Sequence, residues 1–129
     1  MQKKYFINDR VSFIISDWLD AIDFNKFNII VSNPPYIPSR DLEALSHEVL
    51  YNDPLIALDG GKSGLSHYKK ILSNLQNKNN GETKFLIMEI HEGMEKDLLQ
   101  LASSQGFKLE SMNLYDDLSK RKRVIFLKF

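Results

Sequence analysis

Three observations in this 129-residue sequence predict an α/β fold built on a mostly parallel sheet. "RVSFIIS" (10–16), "KFNIIVS" (26–32) and "KFLIMEI" (84–90) are continuously apolar, the pattern of strands covered on both faces. Segments with apolar residues at helical spacing separate the second and third of these runs, and alternation of strands with helices is the mark of an α/β sheet. The chain then closes on "FKLESMNLY" (107–115) and "KRVIFLKF" (122–129), two strands joined by a short polar link, which predicts an antiparallel hairpin at one end.

Each element has a local reason. "SRDLEALSHEVL" places Leu42, Leu45, Val49 and Leu50 at helical spacing, with Ser39 as the expected N-cap; this first helix is short and belongs to a long loop. "NDPLIALDGGKSGL" is rich in turn residues. Ser63 is the expected cap of a helix whose apolar face is Leu65, Tyr68, Ile71, Leu72 and Leu75, stopped by Asn79-Asn80-Gly81. Gly93 opens a further helix with Met94, Leu98, Leu101 and Ala102 inward, and Gly106 sits where a helix ends in a left-handed residue. The expected order is β-β-α-α-β-α-β-β.

Composition narrows the functional classes. A chain of this length suits one domain and buries roughly two-thirds of its unfolded surface. Its 43% hydrophobic and 26% charged residues are those of an ordinary soluble globular protein. Seventeen basic and seventeen acidic side chains cancel, which argues against a general nucleic-acid binder. With no cysteine, disulfides and thiolate metal sites are excluded. No apolar run reaches the ~20 residues of a membrane helix, and "MQKKYFINDR" lacks a signal-peptide core, so the expected location is cytoplasmic, without a membrane partner.

The chemistry concentrates in Asn33-Pro34-Pro35-Tyr36, directly after the second strand. In open α/β sheets, ligands bind beyond the carboxyl ends of strands. Two prolines fix φ and lack N–H groups, leaving carbonyl acceptors free; Asn33 adds a side-chain acceptor and Tyr36 a flat apolar face. Such a frame suits a planar group bearing NH₂, whether an amide or the amino group of a base. Holding both hydrogens orients the nitrogen lone pair and eases proton loss as charge develops. The competing reading is a proline turn that merely ends a strand.

Asn-Pro-Pro-Tyr after an apolar strand is similar to the signature of amino methyltransferases that use S-adenosyl-L-methionine. Together, "SDWLD", "FNIIVSNPPYIPSRDLEALSHEV", "DPLIALDGGKSGLSHYKKIL", "FLIMEIHEGMEKDLLQLASSQGF" and "DLSKRKRVI" resemble the protein-(glutamine-N5) methyltransferases of peptide chain release factors. The resemblance runs from about residue 10 to the C-terminus. It implies the C-terminal part of a Rossmann-like class I methyltransferase sheet, with residues 1–129 forming a partial catalytic domain. It further implies that Asn33 and the Pro34 carbonyl accept from the substrate glutamine's NH₂, that Pro35 and Tyr36 complete the acceptor site, and that Asn33 also lies beside the cofactor's methyl. Trp18 would flank the cofactor's adenine, and Asp17 is the candidate for its amino group. Without the resemblance, Trp18 reads as an ordinary packed aromatic.

The sequence also departs from that family. The resemblance implies, upstream of these blocks, a glycine-rich loop for the cofactor's methionine moiety and an acidic residue for its ribose, and neither is found; the six glycines, at 60, 61, 64, 81, 93 and 106, all follow Asn33. The separate N-terminal helical domain is absent too. His91 stands where the family usually has glycine. Half a sheet is expected to expose strand edge and apolar faces, and a complementing N-terminal half is a candidate partner alongside the release factor. Two other readings remain open at this point: a methyltransferase for exocyclic amines of nucleic-acid bases, and a non-catalytic remnant. "GGKS" lacks the leading glycine of a phosphate loop, since Ile56 occupies that position. Beside His91-Glu92 there is no second histidine four residues on, so a solvated helix start is the better reading; Glu89 faces either the site or the surface. "KRKR" (120–123) reads as a solvated hairpin end, and His47 and His67, on polar helix faces, carry no assignment.

Overall fold

The computed structural model describes residues 10–129, apart from the side chains of His47 and Leu50, so Leu50's expected place on an apolar helix face lies outside the described residues. Four strands form one sheet: β1 (Ile29–Ser32), β2 (Phe85–Glu89), β3 (Met112–Asp116) and β4 (Lys122–Lys128), in the spatial order β1-β2-β4-β3. β1 pairs with β2 in parallel, Ile29 opposite Phe85 through Ser32 opposite Met88. β4 is antiparallel to both of its neighbours, so β1, β2 and β3 run one way and β4 alone opposes them. The α/β sheet with a terminal hairpin is therefore present, and the hairpin folds inward: β4 returns between β2 and β3.

One face of this sheet is built into a core. Helix α2 (Ser66–Lys78) presents Tyr68, Ile71, Leu72 and Leu75, the i, i+3, i+4, i+7 stripe expected from the sequence, and all four are buried. They meet Leu86 and Met88 of β2 and Ile125 and Leu127 of β4, alternate residues that share one face of the pleat. Helix α3 (Glu95–Ser104) adds Leu98 and Ala102 to the same core. Burial of each large apolar side chain contributes on the order of 1.5–3 kcal/mol. The end of α3 matches the expectation: Gly106 has φ +93, its N–H bonds the Ser103 carbonyl, and the Phe107 N–H reaches back to Ala102.

The other face is open among the described residues. Ile29 and Val31, which share it with Phe85 and Phe126, are exposed, and the two phenylalanine rings lie 5.5 Å apart. The expectation of strands covered on both faces thus holds for neither β1 nor β2: exposed and half-buried residues alternate along β1, half-buried and buried ones along β2.

Several expected elements move. "RVSFIIS" is not a strand: residues 11–16 run without ladder partners, and Phe13 is 95% and Ile15 101% exposed. A strand exists only through its pairing, and no described strand flanks this segment. Residues 39–50 do not form one helix. Ser39–Ala44 is a 3₁₀ turn preceded by Pro38, and helix α1 (His47–Asn52) starts afresh behind Ser46, whose hydroxyl accepts from the Val49 N–H at 3.4 Å. Ser39 caps nothing and instead donates to the Asp59 carboxylate at 2.7 Å. Ser63 does not cap α2 either, because Gly64 takes φ +77 and delays the helix to Ser66. The first half of "FKLESMNLY" is loop and a 3₁₀ turn, so β3 starts only at Met112. Among the described residues no helix is long and apolar enough to cross a membrane.

Candidate functional site

β1 delivers Asn33-Pro34-Pro35-Tyr36 to its carboxyl end, as the sequence requires. Pro34 is buried and anchors the turn, whereas Asn33 is exposed and Tyr36 half-buried. No described backbone N–H is bonded to the Pro34 carbonyl. The four residues, with Ile37, line one wall of a cavity of about 320 Å³, and Asp53, Ala57 and Leu58 line the other. An asparagine, two prolines and a tyrosine thus share a space large enough for a small planar group.

The turn-rich loop holds this wall from behind. Ile37 bridges Asp59; its N–H bonds the Leu58 carbonyl at 3.2 Å and its carbonyl accepts from Gly60 at 2.7 Å. Gly60 is required by contact: a Cβ there would meet the Tyr36 carbonyl carbon at 2.7 Å. Gly64 is required twice over, since its φ is +77 and a Cβ would run into the Tyr36 carbonyl oxygen. This explains why "LDGGKSGL" accompanies the proline motif: the loop can close on Tyr36 only where side chains are missing. The Asp59 carboxylate finishes the seam by accepting from Ser39 Oγ at 2.7 Å and from the Gly61 N–H at 2.8 Å. These two bonds, Ser39 first, hold its titration below the usual carboxylate range.

On the opposite side of Ser32 lies a groove of about 500 Å³ lined by Trp18, Leu19, Ile22, Ile30 and Val31, with Phe13 and Ile14 along its rim. Trp18 sits in a tight turn rather than at a strand tip, with φ +53, a value unusual for a bulky residue. Its neighbour Asp17 forms an ion pair with Lys70 of α2, and Lys70 also reaches Asp20 at 3.4 Å. An apolar groove with an indole wall fits the adenine end of S-adenosyl-L-methionine. No glycine lines this groove, so the described residues offer no cradle for the methionine end.

No family model matches the sequence. Curated relatives do. A bifunctional methyltransferase of Rickettsia felis is 36% identical over 124 residues, which is 95% of this chain and 23% of the relative. A release factor glutamine methyltransferase of Geobacter sulfurreducens is 38% identical over 98 residues, 76% of this chain and 34% of that protein. A ribosomal protein uL3 glutamine methyltransferase of Francisella tularensis is 41% identical over 88 residues, 68% of this chain and 27% of its own length. The chain belongs to the release factor glutamine methyltransferase family. It spans 23% of the length of the Rickettsia felis relative and about a third of the Geobacter one. A crystal structure of the release-factor-specific protein-(glutamine-N5) methyltransferase from Alicyclobacillus acidocaldarius has a TM-score of 0.48 and 19% identity, covering 83% of this chain and 53% of that one.

Within this family member, Asn33, Pro34, Pro35 and Tyr36 are brought together on the cavity. Trp18 lies on the groove across Ser32, and Asp17 is committed to Lys70. Glu89 contributes through its backbone: its carbonyl accepts from Tyr68 Oη at 2.7 Å. Burial first, then the nearby Tyr36 and Glu89, raise the Tyr68 phenol above its ordinary value. The "KRKR" charges are used locally, Lys122 with Asp116 at 2.7 Å and Arg121 and Arg123 with Asp117 at 3.3 and 3.6 Å. Two histidines acquire places that sequence reasoning missed. His91 is not only a solvated helix start; its ring lies 5.4 Å from that of Tyr36, beside a second cavity of about 580 Å³. His67 faces inward at the start of α2, toward Trp18. Nothing local marks either residue, because each contact joins segments far apart in sequence.

Proposed function

We propose that this chain supplies the acceptor grip for methyl transfer from S-adenosyl-L-methionine to the side-chain amide nitrogen of a glutamine in a peptide chain release factor, a cytoplasmic substrate. The observation that supports this reading is that Asn33, Pro34, Pro35 and Tyr36 line one small cavity at the carboxyl end of β1. Asn33 Oδ1 and the Pro34 carbonyl accept one amide hydrogen each, and Tyr36 packs against the plane. With both hydrogens held, the nitrogen lone pair is aimed toward Ser32 and the groove beyond it. The two acceptors interact more strongly as the nitrogen gains positive charge, so their effect is larger in the transition state than in the ground state. When bound, the cofactor would supply a sulfonium-activated methyl group: the N–CH₃ bond would form as the S–CH₃ bond breaks to leave a neutral thioether, and the amide NH₂ would become NH–CH₃ with release of one proton. Trp18 would flank the adenine, and Asp17 would reach the adenine amino group only by leaving Lys70.

The chain acts as the C-terminal part of a catalytic domain, with a complementing N-terminal half completing the donor seat. The runner-up substrate is a ribosomal-protein glutamine. The Francisella relative bears that name, and the grip described here reads the amide rather than the protein around it.

The test is transfer of labelled methyl from S-adenosyl-L-methionine to a release-factor domain and to the same domain with its glutamine changed to glutamate, with and without a complementing N-terminal half. Labelling of the glutamine form alone is expected. Equal labelling of both forms would remove the amide as the target. A parallel calorimetric titration of the chain with S-adenosyl-L-methionine separates a self-sufficient donor seat from one that needs the complement.

A further inference from the structure

The Trp18 indole, packed at the edge of the core, hydrogen-bonds one side chain, and that side chain can exist in only one form there. Its indole Nε1–H donates to His67 Nδ1 at 3.2 Å, with the two rings 5.1 Å apart. On the other side of the imidazole, His67 Nε2 lies 2.9 Å from the Asp59 backbone carbonyl. An indole nitrogen only donates and a carbonyl only accepts. Nδ1 must therefore be bare and Nε2 must carry the hydrogen. Both neighbours select the same neutral tautomer, and a doubly protonated ring would set one N–H against another. The Trp18 backbone sits at φ +53, a conformation that costs on the order of 1–3 kcal/mol and persists only when its surroundings impose it.

The position of His67 gives this contact a wider reach. Asp59 is the residue that bridges Ile37, directly after Tyr36, and that ties down Ser39 and Gly61. One imidazole thus joins the Trp18 turn, on the groove side of β1, to the loop that backs the acceptor wall. We propose that His67, as the neutral Nε2–H tautomer, is a positioning residue that fixes the Trp18 indole against the donor groove and registers that groove to the acceptor wall, and that its protonation releases the indole. The charged groups on the segments it touches are Asp17 and Asp20, both paired with Lys70 of α2, and the Asp59 carboxylate and Lys62 of the loop. The link to donor binding rests on the reading of Trp18 given above; the clasp itself does not.

Trp18 is the only tryptophan, so indole emission reports on it alone. A protonated imidazole in contact with an indole quenches it. The full chain is titrated from pH 8 to pH 5, with far-UV circular dichroism confirming that the fold persists, alongside His67→Gln and His67→Ala. The wild type is expected to lose emission in a single step as the pH falls and the ring takes up its second proton. His67→Gln keeps an acceptor for the indole and a donor for Asp59, so its emission maximum should match wild type at pH 8 with no step. His67→Ala should show no step, a red-shifted maximum and several-fold greater acrylamide quenching. An unchanged step in His67→Gln, or unchanged quenching in His67→Ala, overturns the proposal; if His67→Ala does not fold, the wild-type and His67→Gln titrations decide alone. Titration with S-adenosyl-L-methionine then tests the dependent part. A loss of roughly fivefold in affinity in His67→Ala, recovered in His67→Gln, is expected for one lost hydrogen bond. If the emission results hold while affinity does not change, the donor role of Trp18 fails and the clasp stands.

Discussion

The two sides of Ser32 are built differently. The acceptor wall is over-determined: Pro34 is buried, Gly60 and Gly64 close on the Tyr36 backbone, and Asp59 ties Ser39 and Gly61 into the same seam. The donor groove rests on fewer supports. Its rim residues Phe13 and Ile14 are exposed, its strand edge is open among the described residues, and the indole of its aromatic wall makes one hydrogen bond, to His67. A rigid wall can align a nitrogen lone pair, where small errors are costly. A groove that is open on one side suits a large ligand, or a second polypeptide segment, that completes it. The difference implies that changes to the acceptor wall act on substrate binding and more strongly on rate, whereas changes to the groove act first on cofactor binding.

The sharpest way to probe that contrast is Asn33→Ala. Removing one acceptor aimed at developing charge should lower transfer on the order of 10²–10³-fold. The thermal midpoint should stay unchanged because Asn33 is exposed. Steady-state rates and a melting curve on the same preparation check both halves. Gly64→Ala comes next: forcing a Cβ into the Tyr36 carbonyl at φ +77 should destabilise by about 1–3 kcal/mol in denaturant unfolding and displace the acceptor wall. Tyr68→Phe should cost about 0.5–1.5 kcal/mol by leaving the Glu89 carbonyl without its 2.7 Å donor. Because the folded-state phenol titrates above its ordinary value of about 10, its stabilising contribution is complete below that pH and fades as pH rises beyond it; Tyr68→Phe should flatten that alkaline loss. The smallest effect belongs to Asp59. Its folded-state titration is lowered, so its contribution is complete above pH ~4 and is lost only as pH falls further. Asp59→Asn, which still accepts from Ser39 and Gly61, should melt near wild type at neutral pH and show a shallower acid decline.

Much of this architecture was legible because it is periodic. The α2 stripe from Tyr68 to Leu75, the cores of β2 and β4, and the left-handed stop at Gly106 follow from spacing and from one residue type. The place of Asn33–Tyr36 at the carboxyl end of β1 was legible for a different reason: two prolines and an asparagine after an apolar strand admit few arrangements. The misreadings arose where a partner decides the outcome. Residues 10–16 have every strand preference and no described neighbour to pair with. Ser39 looks like a helix cap until the Asp59 carboxylate, 20 residues on, takes its hydroxyl. His67 looked solvated because helical periodicity cannot reveal Trp18, 49 residues earlier, folding back over it. The glycines at 60 and 64 read as turn residues, and only the packing exposes them as the clearance that lets a loop back the active wall.

The central claim is that Asn33 and the Pro34 carbonyl hold the two hydrogens of a glutamine amide. The most direct measurement is the affinity of the full chain for a glutamine-bearing release-factor domain, compared with Asn33→Ala and with the same domain carrying leucine in place of the glutamine. Both changes should weaken binding by roughly tenfold, and combining them should add little further loss, because each removes the same contact. Affinities that are unchanged by either substitution, or losses that simply add, would contradict it.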